Sequence, residues 1–81
     1  MLGFNRYKVE IVLNNLSKKK EIINYLSSQK NVTRVTEMIG REDINFDVDF
    51  KTSVELDNFL EKLRTGIPEI KDFEIKNIIV D

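Results

Sequence analysis

The chain has 81 residues, no cysteine, no histidine and a formal net charge of -1. That length makes one domain, and the missing side chains exclude disulfides, thiol nucleophiles, imidazole acid–base chemistry and zinc or iron–sulfur sites of ordinary composition. A balanced charge at 33% charged residues provides no overall field drawing the chain to nucleic acid or membrane. No apolar run approaches a membrane span and the opening MLGFNRYK lacks the apolar core of a signal peptide, so a cytoplasmic location with no membrane partner is expected. A domain this small buries only roughly 60% of the surface its unfolded chain exposes, and self-association is a natural remedy.

RYKVEIVL puts Tyr7, Val9, Ile11 and Leu13 on one face of a strand and Arg6, Lys8 and Glu10 on the other. NNLSKKKEIINYLSSQKN then reads as a helix with Ser17 as N-cap, an apolar stripe of Ile22, Ile23 and Leu26, and an end near Gln29 or Asn31. VTRVTEMI is rich in β-branched residues and predicts a second strand. Its facing stays open: Glu37 interrupts the parity of Val35 and Ile39, whereas Val32, Val35 and Met38 share the buried side only if a bulge or irregular start intervenes.

INFDVDF carries the clearest period, with Ile44, Phe46, Val48 and Phe50 alternating with Asn45, Asp47 and Asp49, and predicts a third strand with one dry and one wet face. TSVELDNFLEKLRTG predicts a second helix, capped by Thr52 or Ser53, with Leu56, Phe59, Leu60 and Leu63 inward and Gly66 just past its end. Pro68 ends helical structure, and KDFEIKNIIV predicts a last strand whose register is ambiguous, since Phe73, Ile75 and Ile79 alternate as well as Ile78 and Val80.

The order strand, helix, strand, strand, helix, strand is that of the α+β ferredoxin-like fold, a βαββαβ arrangement in which a four-stranded antiparallel sheet of order 4-1-3-2 carries two helices on one face. Right-handed crossovers place both helices on that face and leave the other open. The segment Gly40, Arg41, Glu42 and Asp43 then becomes the hairpin loop between the second and third strands. Gly40 supplies conformational freedom for a tight turn and Asp43 bonds turn amides without any ligand.

From Val32 to Val80 the chain resembles the effector-binding (RAM) domain of the Lrp/AsnC transcriptional regulators. The likeness is carried by Val32, Val35 and Met38 ahead of Gly40, by Gly40 with Asp43, by INFDVDF, SVELDNFL and GIPEI, and by the closing NIIV. The resemblance implies that the hairpin loop lies at a subunit interface where a small effector, commonly an amino acid, binds. Gly40 and Asp43 match that loop directly; Arg41 and Glu42 lie within it, and Glu42 stands where family members often carry an aromatic residue. Asp43 would pair with an α-ammonium group and amides from Gly40 to Glu42 would receive a carboxylate. The implied protein is a non-enzymatic sensing module without a cofactor, a homodimer or higher oligomer, stand-alone or excised from the winged helix-turn-helix domain of full-length regulators, and with no nucleic-acid contact of its own. A related ACT-type amino-acid-binding domain is the alternative. An RNA-binding module on the same fold ranks lower, because aspartates occupy the strand positions where stacking aromatics are needed. A small hydrolase on this fold would need a phosphate-binding arginine loop after the first strand, where NNLSKKK stands instead.

Two other groupings have ordinary readings. The lysines of SKKKE at a helix start form a solvated first turn more readily than a phosphate site, because no glycine-rich cradle precedes them. Glu10, Asp47 and Asp49 share the open face and would hold a hard cation or a raised-pKa proton only if Lys8 and Lys76 did not pair with them. Tyr7 and Tyr25 are packing residues rather than catalysts.

Overall fold

A computed structural model describes residues 3–15, 17–37 and 43–80, with side-chain surroundings for 3–15, 17–37 and 44–75. Six elements follow in the expected order: β1 (Asn5–Leu13), α1 (Lys19–Ser28), β2 (Val32–Glu37), β3 (Asp43–Phe50), α2 (Ser53–Gly66) and β4 (Ile70–Val80). The four strands form one sheet of order β2-β3-β1-β4, and every neighbouring pair is antiparallel. This is the expected ferredoxin-like arrangement.

Alternation on the two central strands decides which face is covered. Tyr7, Val9, Ile11 and Leu13 of β1 and Ile44, Phe46 and Val48 of β3 are buried with Ile22 and Leu26 of α1 and Leu56 and Leu63 of α2. The i, i+4 spacing of Ile22 and Leu26 aligns one stripe of α1 with the sheet. Phe59 extends the core sideways, its ring 5.5 Å from Phe50 and 6.2 Å from Phe46 in tilted contacts.

The helix starts differ from each other. Thr52 closes a reciprocal capping box with Glu55, accepting from the Glu55 amide while the Glu55 carboxylate accepts from the Thr52 amide. Ser17 is not the cap of α1. The N-cap position is Lys18, without a side-chain bond, while the Ser17 hydroxyl bonds Asn15 Oδ1. Asn15 has taken the serine for a local turn, and the helix begins later. Gly66 is the last residue of α2 rather than the first beyond it, and the Ile67 amide donates to the Leu63 carbonyl at 2.9 Å.

Register irregularities explain the ambiguous strands. Val32 lies opposite Val48 and Arg34 opposite Asp47, so Thr33 is an extra residue on β2. The extra residue reverses the parity and lets both Val32 and Val35 pack against the core. Glu37 then falls opposite Ile44, on the covered side of an edge strand, where it meets Lys19 of α1 at 3.4 Å. On β4, Phe73 lies opposite Ile11 and Ile75 opposite Val9, but a shift after Val9 sets Asn77 opposite Lys8, Ile78 opposite Tyr7 and Ile79 opposite Arg6.

Candidate functional site

The face away from the helices carries charged and polar side chains in cross-strand rows. Arg6 and Asp49 are direct partners, as are Lys8 and Asp47, and Glu10 and Asn45. Arg34 continues the Lys8–Asp47 row onto β2 and Thr36 continues the Glu10–Asn45 row; on the other side Glu74 lies opposite Glu10.

Pairing fixes the carboxylates of β3. Arg6 donates to Asp49 through Nε at 2.8 Å and Nη2 at 3.0 Å, a two-pronged contact that holds the carboxyl below its ordinary range. Hydrogen bonding to Arg6 is the main cause, opposed by desolvation and reinforced by the charge of the guanidinium. Lys8 Nζ reaches both oxygens of Asp47 at 3.3 and 3.4 Å. Asp47 and Asp49 are thus lysine- and arginine-paired, and no cluster of three metal-ligating side chains occurs among the described residues. Two of the three lysines at the start of α1 are similarly engaged, Lys18 with Glu21 at 3.5 Å and Lys19 with Glu37.

Of the expected hairpin residues, Gly40, Arg41 and Glu42 lie outside the described residues. Asp43 opens β3, its backbone opposite Val12. The residues flanking the hairpin on the open face are Thr36 and Asn45, which border a shallow concavity of about 320 Å³ together with Lys8, Arg34 and Asp47. Sequence reasoning did not single out Arg34 or Thr36, because the extra residue at Thr33 hides their parity from local alternation. Tyr7 is buried, in keeping with a packing role, whereas Tyr25 is among the exposed large side chains. Among the described residues paired in the four strands, none on the open face is aromatic. No helix among the described residues is long and apolar enough to cross a membrane.

Neither a scan of protein-family models nor a search of curated proteins gave a match. Among solved structures, the chain is similar to hypothetical protein PHS023 from Pyrococcus horikoshii, at a TM-score of 0.73 and 20% identity over 94% of this chain and 90% of that one. It is also similar to PH0061, at a TM-score of 0.70 and 20% identity over 98% of this chain and 52% of that one. The chain thus spans about half the length of PH0061. At these identities the likeness is one of fold.

Proposed function

We propose that the chain is a non-catalytic regulatory module of the Lrp/AsnC effector-domain kind, which associates with itself and takes a small effector, an amino acid by class, at the hairpin from Gly40 to Asp43. The observation that carries this reading is the asymmetry of the sheet. Both helices pack on one face, and the other is left uncovered by any described segment, with side chains such as Arg6 and Lys8 still 45% and 41% exposed. A small domain that leaves one sheet face without a covering layer has a surface suited to a second copy. The strand ends that the hairpin joins, Glu37 and Asp43, lie at one end of the sheet, and an effector held between them at a contact of two copies would bias their association. The motif resemblance from Val32 to Val80 supports the choice of family.

Sedimentation across a concentration series, with and without individual amino acids, tests association; a thermal-shift screen over the same amino acids tests binding. An effector at 100 times its dissociation constant stabilises the native state by about 2.7 kcal/mol. Asp43→Ala is expected to abolish that shift while the unliganded protein keeps its melting temperature. A strict monomer at every concentration, or an undiminished response in the variant, rejects the reading.

A further inference from the structure

The two edges of the sheet differ. β4 holds an extra residue at Lys71 and another at Lys76, and a lysine at a bulge discourages strand pairing. β2, the other edge, has neither lysine nor proline between Val32 and Glu37, and beyond the extra residue at Thr33 it runs in regular register from Arg34 to Glu37. Its outward backbone groups have no ladder partner among the described strands. A helix runs beside this edge, since Lys19 of α1 reaches Glu37. Ile23, one turn on from Lys19, and Val35, on the covered side two residues before Glu37, are both only half-buried. A free strand edge beside such apolar side chains suits an added strand, whose main chain bonds the edge while alternate side chains meet the apolar strip.

Charge selects the partner. Lys20, Lys30 and Arg34 are exposed, and no ion pair engages them among the described residues. Lys20, three residues before Ile23, shares the β2 side of α1, whereas Glu21 and Tyr25 border α2. Lys30 stands two residues ahead of β2. The nearby acids have cations of their own: Glu21 has Lys18, Glu37 has Lys19, Asp47 has Lys8 and Asp49 has Arg6. Arg41, Glu42 and Asp43 together add one negative charge, and Glu10 lies on β1, two strands in and roughly 10 Å from β2. With both counted the flank stays positive. We propose that the free edge of β2 takes up an extended acidic segment of another polypeptide as a fifth strand. Its apolar side chains turn to Ile23 and Val35 and its carboxylates to Arg34, with Lys20 and Lys30 attracting it from farther off. This binding does not depend on the regulatory reading, since the edge is free in a monomer and the hairpin takes no part.

The test is an amide NMR titration of the intact chain with a soluble capped peptide in which valine alternates with glutamate. Three comparison probes are the same peptide with lysine in place of glutamate, the same peptide N-methylated at alternate amides, and a single-stranded oligonucleotide. Saturable shifts and slowed amide exchange are expected from Arg34 to Glu37 with the glutamate peptide, and no such protection at Asp72 to Ile75 on the opposite edge. The lysine and N-methylated peptides are each expected to bind at least about tenfold more weakly, the first for its charge and the second because it cannot complete the ladder. Arg34→Glu is expected to weaken binding by about tenfold or more, whereas Lys71→Glu, an equal change of net charge on the far edge, is expected to leave it unchanged. Shifts that never saturate, protection centred on β4, undiminished binding of the lysine or N-methylated peptide, or equal losses in the two variants would each overturn the assignment. An oligonucleotide that bound the same residues as tightly would also overturn it, giving the flank to nucleic acid. The peptide comparisons use the parent chain, so they hold whether or not the Arg34 variant folds.

Discussion

Arg6 on β1 grips Asp49 on β3 through two parallel hydrogen bonds of 2.8 and 3.0 Å, directly across the ladder on the uncovered face. The contact holds the Asp49 carboxyl below its ordinary value of 3.8, so folding stability depends on its ionisation. A carboxyl whose folded pKa is depressed contributes stability that is fully present above the unfolded value and is lost as pH falls through the lower folded value. Urea denaturation of Asp49→Asn should therefore show a deficit of about 0.2–1 kcal/mol near neutrality, the range of part-exposed pairs. The deficit should shrink as the pH is taken below 3.8. A deficit that is constant with pH would mean that the pair contributes nothing through charge.

The core rests on β3. Phe46 is 1% exposed and its ring meets Phe59, whereas Val54 on α2 is 63% exposed. Phe46→Ala should cost about 3–5 kcal/mol, enough to leave a small domain largely unfolded. Val54→Ala should stay within about 0.5 kcal/mol. Chemical denaturation followed by circular dichroism checks both, and comparable losses would misplace the core.

Element order and the covered face of β1 and β3 were legible because each is written in local spacing, period two for Tyr7–Leu13 and Ile44–Val48, whereas the cap of α2 was narrowed only to Thr52 or Ser53 and the structure assigns it to Thr52. The facing of β2 and the register of β4 were not. Both depend on an extra residue, Thr33 on β2 and Lys71 and Lys76 on β4, and a bulge is defined by the partner strand rather than by its own neighbours. The same dependence hid the concavity at Arg34. The Lys8–Asp47 pair, by contrast, was readable because both residues belong to regular strands.

The two helix starts give a paired prediction. Thr52→Ala removes an acceptor that the Glu55 amide uses and should cost about 1 kcal/mol. Ser17→Ala should cost no more than about 0.5 kcal/mol, because Ser17 caps no helix amide and its bond to Asn15 is exposed. Thermal unfolding of the two variants side by side decides; equal losses would restore Ser17 as a cap of α1.

The outer edge of β4 carries a protection that the register reveals. Between Ile75 and Asn77, and again between Ile70 and Asp72, β4 holds one residue more than β1, and in both places that residue is a lysine. An edge strand of 11 residues is a template for pairing with another chain, and bulges combined with lysine are the devices that blunt such edges. A double substitution of Lys71 and Lys76 by Val should therefore promote edge-to-edge association, seen as light scattering that rises with concentration under conditions where the parent chain stays clear. The double Glu variant separates charge from shape: it keeps a charge at each bulge and should remain as dispersed as the parent. If the Val variant scatters no more than the parent, the lysines do not guard the edge; if the Glu variant aggregates equally, the effect lies in lost packing or net charge rather than in edge protection.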